Sequence, residues 1–395
     1  YYYDIARALN TQGQVEVCDG GGSNLLSPTR DHYKFLLSLC LDRAAAEENA
    51  ALVPLVNHKT TMQIHRDTKA QKLVEEFVQD LSTILEQKYG EAARQLAEVT
   101  QQSQQRRPCI LVVWMMNFVF RKSTNDKMKF LKKTFKPLWK PVSNNSTTTT
   151  SESDNTNQIQ VMATTWSPHA PELQERFRVP YVYCPFATDV NIFDVKRLYQ
   201  PWSNRSCDVF LRWSIAEKDY DHRLNVSYLL APSSLNEKDA ARAQKRALEL
   251  QHKDVTDLAV SAPTAFLEED EYLQMIANCK MTVTTIGFPD RYDLVGTRYF
   301  EIQASGTTLM FVDRPRNAFA AQQYADLGFV EDETVVGFSN LTELVQKIRY
   351  YKQHPDEANA MVQAAQQAAY RTASWHARGE LLVNAFREHG QCERL

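Results

Sequence analysis

Asp290-Arg-Tyr-Asp293-Leu-Val-Gly-Thr297-Arg298-Tyr-Phe-Glu301-Ile-Gln-Ala-Ser-Gly306-Thr-Thr-Leu-Met-Phe-Val-Asp313 is the stretch on which the fold turns. Its second half reads as a short helix that opens near Thr297 and closes at Gly306, since glycine readily takes the left-handed conformation that ends helices. The apolar run from Thr307 to Val312 then reads as a buried strand that delivers Asp313 to a loop. Arg298 and Glu301 lie three apart and so share one face of the helix near its amino end. A guanidinium beside the positive end of a helix suits an anionic phosphate, and a carboxylate one turn on accepts hydrogen bonds from sugar hydroxyls. The same spacing also fits an ordinary Arg-Glu ion pair on a surface helix.

Strands and helices alternate on both sides of this stretch. Before it come strand Cys207 to Trp213, helix Arg223 to Leu230, a polar helix Glu237 to Gln251, strand Leu258 to Ser261, helix Glu269 to Cys279 and strand Met281 to Ile286. After it come a helix around Ala318 to Leu327, strand Thr334 to Phe338, helix Leu341 to Gln353 and a helical tail from Asp356. Such alternation predicts an α/β fold, a parallel sheet with helices on both faces.

The first half carries the pattern less regularly. Tyr1 to Leu9 reads as a helix, and Val15 to Cys18 as a strand running into the glycine cluster Asp19-Gly-Gly-Gly-Ser-Asn24, which lacks both the G-x-G-x-x-G spacing and the Gly-Lys of a phosphate loop. Residues 32 to 56 and Lys69 to Gln105 look helical. Cys109 to Met116 is apolar throughout, as central parallel strands are, and a basic stretch from Arg121 to Lys140 fits a solvated helix face. Ser143 to Gln158 is a Ser/Thr/Asn insert that cannot build a core. Ile159 to Thr165 and Val179 to Cys184 read as strands, with a helix from Pro171 to Phe177 between them. Two Rossmann-like domains are therefore expected to face each other across a cleft. They span 1–186, with the insert at 143–158, and 187–370, followed by a helical tail 371–395 that crosses back. Ligands are expected at the carboxyl ends of the strands.

Composition narrows the function classes. With 43% hydrophobic and 24% charged residues the chain is that of a globular protein, and a net charge of -3 argues against nucleic acid as the main partner. No run of about 18 apolar residues is present, so no membrane span is expected in this chain. Seven scattered cysteines without a C-x-x-C pair exclude a zinc ribbon or a dense disulfide framework and suggest buried free thiols. Glycosylation triplets at Asn144, Asn145, Asn204, Asn225 and Asn340 are compatible with a secretory-pathway lumen, and the cytoplasm stays equally open. The chain begins at Tyr1 in what reads as a helix already under way, as if a first strand or targeting segment preceded it.

Four segments, in order, resemble the GT-B glycosyltransferases. Pro185-Phe-Ala-Thr-Asp189-Val-Asn-Ile-Phe193 is similar to their interdomain segment, and Cys207-Asp-Val-Phe-Leu-Arg212 to the first strand of their donor domain. Arg298-Tyr-Phe-Glu301-Ile-Gln-Ala-Ser-Gly306 resembles the R-x-F-E-x-x-A-x-G segment of the branch related to the spore-maturation protein CgeB. Val335 to Tyr351 with His354-Pro355, His376 and Arg378 looks like that branch's closing portion.

The resemblance implies transfer of a sugar from a nucleotide-activated donor, which docks on the C-terminal domain. Glu301 then matches the glutamate that contacts the donor's ribose or sugar, Arg298 and Arg212 become phosphate candidates with Arg223 behind them, and Thr307 and Thr308, just past Gly306, become donors to the diphosphate. The paired acids of related retaining enzymes, E-x7-E, put the first at position 293, which is Asp293 here, so both that acid's role and the stereochemistry stay open. The resemblance implies no metal and no organic cofactor, because helix dipole and basic side chains hold the leaving diphosphate. Asp219-Tyr-Asp221 mimics a metal-binding D-x-D but follows the wrong strand for the fold that uses one. For the base that deprotonates an acceptor, Asp19 and His169 follow candidate strand ends in the first half, each with a plain structural role as the alternative. Two other readings stand beside transfer: a GT-B-shaped module that binds glycan or nucleotide without turnover, and an unrelated doubly wound dehydrogenase, which the missing G-x-G-x-x-G disfavours.

Overall fold

In the first of two units (residues 1–165, 170–184 and 379–395) short strands pair in one direction. The computed structural model describes residues 51–52, 55–56, 68–90, 95, 98–100, 109–110, 112–116, 129–130, 133–134, 160–164, 181–213, 221–247, 255–265, 267–285, 295–315 and 317–389. Strand β1 (Ala51–Leu52) runs parallel to β3 (Cys109–Ile110). Strand β2 (Leu55–Val56) opens a four-stranded sheet that continues through β4 (Val112–Met116), β5 (Gln160–Thr164) and β6 (Tyr181–Tyr183), all parallel. The strands at 51–52 and 55–56 correct the end of the helix read over residues 32 to 56, whose earlier part lies outside the described residues. Within Ala-Leu-Val-Pro54-Leu-Val the proline and the β-branched valines disfavour a helix interior. Helix α1 (Thr68–Tyr89) buries Val74, Val78, Leu81 and Leu85, a stripe at helical spacing. The expected elements at 1–18, the glycine cluster, the insert at 143–158 and the helix at 171–177 lie outside the described residues.

The second unit comprises residues 166–169 and 185–378. After a single helical turn α2 (Ile192–Val195) come β7 (Cys207–Phe210), α3 (Asp221–Leu230), α4 (Glu237–Ala247), β8 (Val260–Ser261), α5 (Glu269–Asn278) and β9 (Cys279–Thr284). The chain continues through α6 (Thr297–Ala304), β10 (Leu309–Asp313), α7 (Ala318–Asp326), β11 (Val336–Phe338), α8 (Leu341–Gln353), α9 (Pro355–Thr372) and α10 (Trp375–His389), whose later part is counted with the first unit. The strand order is β11-β10-β9-β7-β8, parallel at every pairing.

Period-two alternation sorts the strand residues between two layers. Val209, Met281, Val283, Leu309, Phe311, Val336 and Phe338 join a core with Val226 and Leu230 of α3 and Leu344 and Ile348 of α8, whereas Phe210 meets Tyr272 of α5, ring centroids 6.1 Å apart. Helix starts follow capping chemistry: Asn340 accepts from the Glu343 N–H, Asn317 from that of Ala320, and Glu268 and Glu271 form a capping box on α5. Gly306, at φ +60°, ends α6 as expected. The unit's ends meet where Arg378 donates to the carbonyls of Pro185 and Phe186 and Thr188 bridges to Ser374.

Two features of the central strand β7 were hidden in sequence. Cys207 falls opposite Cys279 in the β7–β9 register, and the two form a disulfide with Cα atoms 4.6 Å apart, which corrects the reading of both as free thiols. Cys184 is a buried free thiol. Next to the disulfide, Asp208, 3% exposed, accepts from Lys280 of β9 (2.8 Å), Lys352 of α8 (2.7 Å) and the Ala259 N–H (3.0 Å). Burial pushes its carboxyl up, but the three donors outweigh this and hold it below the usual carboxylate range.

Asp208→Ala removes the shared partner of two lysines. Because Lys280 and Lys352 keep 18% and 32% of their side chains exposed, both rehydrate in the variant, and the expected loss is about 2–3 kcal/mol, below that of a fully buried pair. Urea unfolding at neutral pH checks it. A carboxyl depressed in the folded state contributes stability above its unfolded value of about 4 and loses it as pH falls through the lower folded value. The gap between native chain and variant should therefore close on acidification below about pH 4.

Candidate active site at the strand-order reversal

Where the strand order of an open parallel sheet reverses, the connections on either side diverge and leave a crevice at the carboxyl ends of two neighbouring strands. In the second unit the chain leaves β7 for β8 on one side and returns to β9 on the other, so the reversal falls between β7 and β9. Arg212 follows β7, Thr285 follows β9, and α6 runs inward from Gly296, which offers no side-chain cap.

Arg298, in the first turn of α6, lays its guanidinium over the ring of Phe210 (5.4 Å to the centroid) and over that of Tyr272 (5.8 Å). Its Nη1 is buried without a hydrogen-bond partner among the described residues. One turn on, the Glu301 carboxylate accepts the Tyr272 hydroxyl through Oε2 at 2.7 Å. Burial raises the Glu301 carboxyl, the Tyr272 bond and the Arg298 charge pull against it, and Glu269 adds to the rise. The Tyr272 phenol is likewise raised, burial being the largest cause. Arg223 of α3 donates to the hydroxyl and carbonyl of Thr285, both at 3.3 Å. Arg212 donates to the Pro263 carbonyl at 3.0 Å and lines a cavity of about 240 Å3 with Leu211, Trp213, Ser227, Asn236 and Asp239.

The expected site residues thus divide. Arg223, Arg298 and Glu301 stand at the carboxyl edge of this sheet beside its reversal, and Arg212 stands at the same edge on the β8 side. Gly306, Thr307 and Thr308 do not, which corrects their assignment to the diphosphate. They close α6 and precede β10, and so lie at the amino edge. There the Thr308 hydroxyl donates to the Ile276 carbonyl at 2.6 Å, and the Thr307 carbonyl accepts from Arg205. Both threonines are buried and their polar groups serve the fold. Asp19, His169, Asp293 and Asp219 lie outside the described residues, as does the side chain of Asp221. Among the described residues no group of His, Cys, Asp and Glu is placed to hold a metal ion, and no helix is long and apolar enough to cross a membrane. Tyr272, Phe210 and Thr285 were missed by sequence reasoning. No local motif marks them, and only the strand order brings them to Arg298 and Arg223.

Residues 248–384 match a family model described as glycosyl transferase-like. The matched segment, which resembles that family over part of the chain, includes β8 to β11 with Arg298 and Glu301. No curated protein matches. Among solved structures, a glycosyltransferase from Rickettsia africae aligns over 89% of this chain and 95% of its own at 9% identity and a TM-score of 0.46. The Anabaena protein Alr3699/HepE in complex with UDP-glucose aligns over 89% and 96% at 11% identity and a TM-score of 0.43. Sucrose-phosphate synthase from Thermosynechococcus elongatus aligns over 82% and 79% at 13% identity and a TM-score of 0.42. At these scores the likenesses are faint and say nothing of donor or acceptor.

A half-buried guanidinium whose buried Nη1 is unmatched among the described residues carries a desolvation cost that no hydrogen bond there returns. Replacing it with Met keeps the bulk over Phe210 and Tyr272 and removes the charge. Arg298→Met should therefore change unfolding free energy by less than about 1 kcal/mol, the lost cation–π contact being offset by relief of the unpartnered atom. Thermal melting without ligand checks this, and a large loss would mark Arg298 as a structural ion.

Proposed function

We propose that the chain is a GT-B-type glycosyltransferase of the CgeB-like branch, moving a sugar from a nucleotide-activated donor to a glycan, protein or small-molecule acceptor, with the donor held on the second unit. The observation that carries this reading is the buried Nη1 of Arg298, unpartnered among the described residues, one helical turn from Glu301 at the reversal of strand order. A diphosphate oxygen supplies the acceptor that Nη1 lacks, and the uncapped start of α6 favours the same anion. Arg223, held at Thr285, is a further cation beside the crevice, and Arg212 one on the β8 side of β7. Tyr272 occupies Oε2 of Glu301, which leaves Oε1 for a ribose or sugar hydroxyl.

In this reading the departing diphosphate is stabilised by side chains and helix dipole, and the chain needs neither metal nor organic cofactor. The acceptor's proton goes to a base for which Asp19 and His169 remain the candidates. Asp293 stands where related retaining enzymes carry the first of two glutamates. That substitution favours, as the second reading, a module that binds nucleotide or glycan without turnover.

A panel of nucleotide-sugars, read for both melting shift and release of nucleoside diphosphate, separates the two. Release supports the transferase, a shift without release supports the binding module, and neither overturns both. Arg298→Ala should weaken donor binding by about ten- to a hundredfold, the range for a charge-assisted hydrogen bond in a partly buried site. Glu301→Gln keeps the shape and one acceptor oxygen, so turnover should fall while Tm holds. Unchanged affinity and turnover in both variants would remove the residue-level support for transfer.

A further inference from the structure

We propose that Tyr272 is the positioning residue of the donor site, fixing the Glu301 carboxylate through its hydroxyl and supporting the Arg298 guanidinium on its ring. This rests on the donor reading given above. Tyr272 lies on α5, whereas both groups it touches lie on α6, so it is the link through which a neighbouring helix sets them. The 2.7 Å bond from its hydroxyl to Oε2 selects one orientation of a carboxylate that would otherwise rotate about its last torsion. Its ring and that of Phe210 lie side by side under the guanidinium, with centroids 5.8 and 5.4 Å from the central carbon. Cation–π contact holds such a group without using its N–H donors, which is how Arg298 keeps Nη1 open for an anion.

The arrangement also governs when Glu301 is charged. The ionisable groups that act on it are Tyr272 and Glu269 from α5 and Arg298 from its own helix. Burial and Glu269 favour the neutral acid, Tyr272 and Arg298 the carboxylate. Deleting the hydroxyl removes one of the two groups that favour the charged form, so the Glu301 carboxyl titrates at higher pH. A donor site that needs the carboxylate then loses function earlier as pH falls.

Tyr272→Phe isolates the hydroxyl, since the ring and its contacts with Arg298 and Phe210 remain. In the ligand-free full chain, carbon-13 NMR of the carboxyl, assigned by its loss in Glu301→Gln, should show Glu301 titrating about one pH unit higher than in the native protein, as expected for one lost bond to a charged group. The acid limb of nucleotide-sugar affinity should move up by the same interval, and affinity at neutral pH should weaken by about tenfold. In Glu301→Gln, which cannot titrate, the limb should vanish, so an unstable Tyr272→Phe would leave this second test in force. Unaltered Glu301 titration in Tyr272→Phe, or an acid limb that persists in Glu301→Gln, overturns the proposal whatever the turnover. A shifted Glu301 in a chain that binds no nucleotide-sugar keeps the Tyr272–Glu301 pairing and overturns the donor reading, and with it the positioning role.

Discussion

The pairing of β7 with β9 on one side and β8 on the other is the constraint from which the second unit follows. Parallel strands need crossovers, and crossovers run right-handed. A chain that steps outward to β8 and then returns past β7 must therefore lay its first and second crossovers on opposite faces. The helices α3 and α5 are those crossovers, and the space their diverging entries leave above β7 and β9 is where the charged residues gather. Three consecutive residues of β7 show how closely one strand is specified: Cys207 bonds to the strand beside it, Asp208 gathers two lysines, and Val209 enters the core.

Much of this was legible because it is local. The helix from Thr297, the left-handed Gly306 and the apolar run into Asp313 are all fixed by neighbours a few residues away, and Leu341–Gln353 is bounded by its own cap at Asn340. What could not be read depends on contacts between distant residues. Lys280 and Lys352 lie 72 and 144 residues from Asp208, and Tyr272 lies 29 from Glu301, with no pattern in the chain to join them. Thr307 and Thr308 are a different case. A strand–helix–strand unit carries its helix back to the starting edge of the sheet, so residues that follow the helix belong to the amino edge, away from any ligand at the carboxyl ends. Their nearness in sequence to Gly306 misled, although the polarity of the unit was already decisive.

How a charge is satisfied separates scaffold from site. Arg314 donates to both oxygens of Glu331, to Ser339 and to Glu343, and Lys347 reaches the same two carboxylates. The Glu331 bond is the main cause that raises the Arg314 guanidinium. Every charge there has an opposite inside the fold, and at about a third exposure such a network adds little and asks for nothing further. Arg298 has the opposite balance. Its neighbours are two aromatic faces and a carboxylate already engaged by a phenol, and among the described residues nothing matches its Nη1. An Nη1 that is buried and unmatched among the described residues lowers stability there, a cost that the Arg314 network does not carry. A side chain kept for stability alone would match its donors as Arg314 does, and the donor reading gives the position of Arg298 over Phe210 and Tyr272 a physical reason.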